Sequence, residues 1–150
     1  MQQEVNMKFA LVDGVRQEPF PKAKGICQFC GKPTLSKCGT KVCWHWAHTR
    51  KSSCDPWWDN ESEWHRDWKN HWANEYQEIV NFDETGEKHI ADVKLPNGTV
   101  VEFQNSPMSL PELQSREQFY GDMIWVVNGR NLAKHMKIRA ALPDPYMLLW

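Results

Sequence analysis

Between residues 60 and 130 the apolar positions follow a helical period, then strand periods. Trp64, Trp68 and Trp72 recur every four residues, the spacing of one helix face. Asn60 or Ser62 offers an N-cap, and Glu61 and Glu63 fall in the first turn, where the helix dipole favours acids. Glu61, His65 and Lys69 make a second four-residue row about 60° round the helix, which predicts a polar stripe at the edge of the core or a solvated face of Glu and Lys pairs. Residues 76–82 and 89–93 read as strands separated by Thr85-Gly86. Pro96-Asn97-Gly98 then predicts a hairpin into a third strand over 99–103. Ser109, Pro111 and Glu112 open a helix to about Tyr120, and the unbroken apolar run 123–127 predicts a strand covered on both faces. Residues 132–142 look helical, and Pro143-Asp144-Pro145 separates them from an apolar tail ending at Trp150.

Upstream, residues 7–12, Asp13-Gly14 and Val15 onward predict a short hairpin ended by Pro19 and Pro21. Residues 27–48 are broken by Gly31, Pro33 and Gly39, which suits a small metal-stapled knuckle better than a helix, and 51–60 reads as loop. The expected organisation is one compact unit: an N-terminal hairpin (1–25), a zinc-binding knuckle (26–56), a core of helix, three strands, helix and strand (57–130), and a C-terminal helix and tail (131–150).

The hairpin carries candidate chemistry. Glu102 and Gln104 are two apart and share a strand face, and the hairpin brings Asp92 alongside them. Carboxylates held that close repel unless a proton or a hard cation lies between them, and an oxygen-only site suits Mg²⁺ or Mn²⁺. Taken alone, such a pair is more often polar surface on an edge hairpin.

At 150 residues, 41% hydrophobic and 25% charged, the chain has the size and composition of one soluble globular domain. No apolar run approaches a membrane span and Gln2, Gln3 and Glu4 do not resemble a signal peptide, so a cytoplasmic protein with no membrane partner is expected. The net charge of −1 conceals a division: nine Lys and Arg against three acids up to residue 54, then nine against sixteen. That balance argues against a strong sequence-independent nucleic-acid binder and leaves room for a basic patch that grips phosphates. Seven of nine tryptophans fall between Trp44 and Trp72, where much of the core volume is expected.

Five cysteines crowd between Cys27 and Cys54, which in a chain without an export signal points to metal more than to disulfides. Cys27-x-x-Cys30 is half of a tetrahedral zinc site. His48 and Cys54 are the preferred second half; Cys43 and His45 are the alternative pair, and Cys38 suits a buried thiol. Four protein ligands would make the zinc structural, holding Lys22, Lys24, Lys32, Lys37, Lys41, Arg50 and Lys51 beside the acidic core.

The segments His45-Trp46-Ala47-His48, Glu61-Ser62-Glu63-Trp64-His65 with Lys69, Ala91-Asp92-Val93, Glu102-Phe103-Gln104-Asn105-Ser106 and Ile124-Trp125-Val126-Val127 resemble, in this order, the competence protein CoiA-like nuclease family over roughly residues 26–130. The resemblance implies an α+β or α/β restriction-endonuclease-like PD-(D/E)XK core and a divalent-metal nuclease acting on DNA in its processing or recombination. It implies that Asp92 and Glu102 hold Mg²⁺ or Mn²⁺, that Glu61 completes the coordination or orients water, and that Gln104, His65 and Lys69 belong to the catalytic site. The broader superfamily usually has lysine where this chain has Gln104; Lys69, or Lys94, would supply the missing charge. The rival expectation is a non-catalytic zinc-dependent DNA-binding or recombination accessory protein that keeps the same fold. A protein partner or single-stranded bases at Trp57 and Trp58, and a homodimer through residues 147–150, are further expectations.

Overall fold

The computed structural model describes residues 6–50 and 54–134. The fold is mixed α+β, with two sheets and few helices. The first sheet is five-stranded and antiparallel, in the order β2 (Val15–Gln17), β1 (Ala10–Val12), β3 (Lys24–Ile26), β4 (Pro33–Lys37), β5 (His45–His48). The expected hairpin forms: Ala10, Leu11 and Val12 pair with Gln17, Arg16 and Val15 across Asp13-Gly14, both at positive φ. The knuckle is more regular than expected, since its chain supplies the rest of this sheet. Gly25 at the centre of β3 permits close approach of its neighbours, since a Cβ there would lie 3.1 Å from the Leu11 carbonyl oxygen and 3.2 Å from Ala10 Cβ and would push them back by a few tenths of an ångström.

The second sheet has the order β6 (Gln77–Phe82), β7 (Lys88–Lys94), β8 (Val100–Gln104), β9 (Met123–Val127). Neighbours β6 to β8 are antiparallel, while β8 and β9 run parallel and are joined by a helix, α2 (Leu110–Tyr120). The preceding helix, α1 (Glu63–Lys69), completes the expected order of helix, three strands, helix and strand. Ser62 caps α1 by accepting from the His65 N–H, and Ser109 caps α2 by accepting from the Glu112 N–H. A short helix, α3 (Gly129–Leu132), follows β9. Most of the expected helix over 132–142, and the whole apolar tail, lie outside the described residues.

Several expectations are corrected. On α1 it is the polar row that turns inward: His65 and Lys69 are buried, while Trp68 is 38% exposed. Burial of these groups is offset by ion pairs and a hydrogen bond, described below, whereas the tryptophans flank the sheet: Trp64 and Trp72 pack against Val93, Val101 and Phe103. Trp46 alone among the tryptophans between 44 and 72 is fully buried. Strand β9 is an edge strand rather than one covered on both faces, with Ile124 52% exposed. Glu61 precedes the Ser62 cap and so reaches the interior from the loop, not from the helix.

The two sheets share a core. Met7, Ala10, Cys27, Phe29 and Trp46 cluster with Ile90 of β7, and Val80 of β6 packs against them.

Candidate metal centre and carboxylate site

Two clusters of chemistry-bearing side chains stand on this framework. In the first, the ligand atoms of Cys27, Cys30, His48 and Cys54 lie within 4.8 Å of one another, so this group can hold a metal ion such as zinc. The tight turn after β3 presents Cys27 and Cys30, with the Gly31 N–H donating to the Cys27 carbonyl at 3.0 Å and Gly31 at φ 70. The last residue of β5 supplies His48, and Cys54 arrives from the following loop. Cys27 and Cys54 Sγ are 3.7 Å apart, close to the edge of about 3.8 Å that a tetrahedron with Zn–S bonds near 2.3 Å requires. Cys30 Sγ lies 3.1 Å from His48 Nε2. Contact with Cys54 lowers the Cys27 thiol to about 5; the same contact pushes Cys54 up, and burial raises Cys30. A cluster that already favours one thiolate suits a cation that favours several. His45 stays outside, its Nδ1 2.9 Å from the Cys43 carbonyl oxygen.

The second cluster surrounds a cavity of about 20 Å³, room for roughly one water-sized species. Asp92, Glu102, Gln104, Glu61, His65 and Lys69 all line it, together with Asp59, Trp57, Trp58 and Arg116. Its floor is a gap in the sheet. Continuing the β6–β7 and β7–β8 registers sets Asp92 opposite Glu78 on one side and Glu102 on the other, yet neither pair belongs to the ladders. Side chains take over there. Asp92 Oδ2 accepts from the Phe103 N–H at 2.9 Å, and Glu102 Oε1 accepts from the Asp92 N–H at 3.1 Å. Glu78 has a φ of 50, a left-handed conformation that costs an acidic residue about 1–3 kcal/mol. Its carboxylate accepts from the Lys8 and Phe9 N–H groups, at 2.8 and 3.1 Å, and from Lys69 Nζ at 2.8 Å.

Charge in the cavity is arranged around these carboxylates. Lys69 is fully buried and ion-paired with both Glu61 and Glu78; burial opposes its charge, but the two acids prevail and raise its pKa. Burial likewise pushes Glu61 upward, and Lys69 with Arg66 outweighs it, so Glu61 lies below the ordinary carboxylate range. Desolvation raises Asp92 despite Lys69 and His65. Desolvation and then the charge of Asp92 push Glu102 well above its usual value, against the pull of Arg116. Arg116 from α2 donates to Glu102 Oε2 at 3.3 Å, to Glu112 Oε1 at 2.6 Å and to the Trp57 carbonyl at 2.7 Å. His65 Nδ1 sits 2.8 Å from Ser62 Oγ, which leaves Nε2 for the cavity. Gln104 Nε2 donates to the Ser106 carbonyl at 2.5 Å, leaving its amide oxygen as the group available to a cation. Two carboxylates that resist simultaneous ionisation thus stand side by side, with an amide oxygen beside them.

Lys94 is not part of this set; its Nζ donates to Asn81 Oδ1 at 2.6 Å. The sequence reading missed Arg116 and Asp59, and also Asp55, whose carboxylate lies behind the site against His89 and Ile90. Trp57 and Trp58 are half-buried, Trp57 stacked on His89 at 3.3 Å between ring centroids and Trp58 donating to the Asn6 carbonyl at 3.1 Å. No helix among the described residues is long and apolar enough to cross a membrane. Comparison of the chain with family models, with curated proteins and with solved structures finds no match in any of the three.

Proposed function

We propose that this protein is a divalent-metal-dependent DNA nuclease with a PD-(D/E)XK core, of the CoiA-like kind, stapled by a structural zinc. The observation that carries the reading is the convergence of Asp92, Glu102, Gln104, Glu61, His65 and Lys69 on one cavity, at the point where β7 and β8 stop pairing. Asp92 and Glu102 would hold Mg²⁺ or Mn²⁺, with the Gln104 amide oxygen as a further ligand. A bound cation of this type polarises a phosphoryl oxygen and acidifies water at neutral pH. Lys69 keeps a positive charge next to Asp92 that a neutral glutamine at position 104 does not bring, and Glu61 and Glu78 hold that charge in place. His65 Nε2 is available to accept or deliver a proton at the cavity. Lys32 and Arg50 are exposed two residues from Cys30 and His48, and Lys22, Lys24, Lys37 and Lys41 are exposed on the first sheet and its loops, a set that supports contact with a phosphate backbone.

The test is cleavage of duplex, single-stranded and branched DNA by the zinc-loaded protein, with and without Mg²⁺ or Mn²⁺. Divalent-dependent cutting that is lost in both Asp92→Ala and Glu102→Ala, with thermal unfolding still cooperative, is the expected result. DNA binding without any cutting under all conditions would favour the accessory DNA-binding reading instead.

A further inference from the structure

The geometry points to Asp55 as a positioning residue that couples the Cys27, Cys30, His48 and Cys54 metal site to the carboxylate site. It rests on the two metal sites of the reading above. Asp55 follows Cys54 directly, and its side chain is completely buried. One carboxylate oxygen, Oδ2, accepts from the Ile90 N–H at 2.6 Å; the other, Oδ1, is 2.8 Å from His89 Nδ1 and accepts from the Trp57 N–H at 3.0 Å. Two routes leave from these contacts. The first enters β7 at His89 and Ile90, two residues before Asp92. The second runs through Trp57, whose carbonyl accepts from Arg116 at 2.7 Å, and Arg116 in turn donates to Glu102.

Each carboxylate of the proposed divalent site is thus tied, through buried contacts, to the residue next to a thiolate ligand. Rings reinforce the second route: Trp57 stacks on His89, and Phe119 of α2 packs edge-on against both, at 5.5 and 4.8 Å between centroids. With a metal on Cys54, Asp55 is fixed from its N-terminal side and holds β7 and the Trp57 carbonyl at their present separation. Without that metal, Cys54 is released and the constraint on Asp92 and Glu102 weakens. Residues that hydrogen-bond a metal ligand directly commonly change its affinity by about 10- to 100-fold; Asp55 acts through at least one further contact, so the lower end of that range is expected.

The experiment measures Mn²⁺ binding by calorimetry to full-length wild type, Asp55→Asn and, as a stability control, Val12→Ala in β1, where the ladder partner Val15 belongs to neither route. Zinc content is determined for each, and cleavage is assayed in parallel. Asp55→Asn is expected to retain one zinc per chain and to bind Mn²⁺ about tenfold more weakly, while Val12→Ala binds it as wild type does. Removing zinc from wild type should weaken Mn²⁺ binding by a similar factor, and removing it from Asp55→Asn should change little further. Unaltered Mn²⁺ affinity in zinc-loaded Asp55→Asn, with wild type binding Mn²⁺ and cutting DNA, overturns the coupling and leaves the nuclease reading standing. Wild type that binds no Mn²⁺ removes both. Loss of zinc from Asp55→Asn itself would assign Asp55 to the zinc site alone and also overturn the coupling.

Discussion

Asp92 and Glu102 replace with their carboxylates the ladder bonds that their own backbones do not make: Asp92 Oδ2 takes the N–H beyond Glu102, and Glu102 Oε1 takes the N–H of Asp92. The exchange opens the sheet at one register position and holds two acids at the gap. Both have raised pKa values, so the folded protein binds protons there more tightly than the unfolded chain. Stability from this pair therefore falls as pH rises from the ordinary carboxylate range through the raised values, and under the nuclease reading a divalent cation would restore it.

Asp92→Asn follows from that sign. The amide oxygen still accepts from the Phe103 N–H, and one buried charge is gone. Without divalent ions at neutral pH, the variant should unfold at a higher temperature than wild type, with the gap closing toward pH 4. Added Mn²⁺ should raise the wild-type midpoint more at pH 7.5 than at pH 5 and leave the variant unmoved. Calorimetry across that pH range checks all three. A lower midpoint for Asp92→Asn at neutral pH would mean that the carboxylate is stabilising and that the repulsion argument is wrong.

For the cysteine cluster, the expected outcome is one zinc per chain by elemental analysis of protein never exposed to chelator. Cys54→Ser removes the sulfur 3.7 Å from Cys27 and should lose most of that zinc, whereas Cys38→Ser should keep it, since Cys38 is outside the group. Structural zinc contributes directly to folding, so chelation should lower the unfolding midpoint of wild type and have little effect on Cys54→Ser. Zinc-free wild type with an unchanged midpoint would exclude a structural ion.

Local signals made much of this fold legible. Ser62 and Ser109 cap the two main helices, Asn97-Gly98 turns the hairpin, and i, i+2 alternation put Glu102 and Gln104 on one face. The Cys27, Cys30, His48 and Cys54 grouping was likewise accessible from ligand spacing. What escaped depends on contacts distant in sequence. Glu78 meets the Lys8 N–H across 70 residues, and Asp55 meets Ile90 across 35, distances at which no local pattern links the partners. Strands β3 and β5 have three and four residues, too short for a period to show. The inward turn of Lys69 has a related cause: hydropathy assigns lysine to water, and its burial is made tolerable by Glu61 together with the distant Glu78.

Lys69→Met tests how far that burial depends on charge. The lysine's raised pKa means that its contribution is fully present at neutral pH and is lost only as pH rises through its folded value. Glu61, held low by Lys69 and Arg66, contributes above the ordinary carboxylate range and loses that contribution as pH falls. Methionine keeps the volume and leaves Glu61 with Arg66 alone and Glu78 with only the Lys8 and Phe9 N–H groups, a loss of about 3 kcal/mol at pH 7. Denaturant titration should find the difference shrinking as pH falls, because Glu61 in the variant, with only Arg66 to hold it low, takes up a proton before it does in wild type. A pH-independent difference would assign the effect to packing.

Arg116→Gln addresses the cation that the sequence did not reveal. Among the influences on Glu102, desolvation and Asp92 push its pKa up, and Arg116 is the principal one pulling it down. Glutamine removes that pull, so Glu102 should stay protonated to higher pH, and a divalent cation must then displace a proton to bind. Under the nuclease reading, activity rises with pH as Glu102 ionises, so the acidic limb of the rate profile should move to higher pH in the variant. Raising the Mg²⁺ concentration should move it partly back, because metal and proton compete for the same oxygen atoms. Arg116→Lys, which retains the charge, should restore most of the original position even if it loses the contact to the Trp57 carbonyl. An acidic limb that stays put in Arg116→Gln, with activity reduced equally at every pH, would show that Arg116 acts through structure alone and not through the ionisation of Glu102.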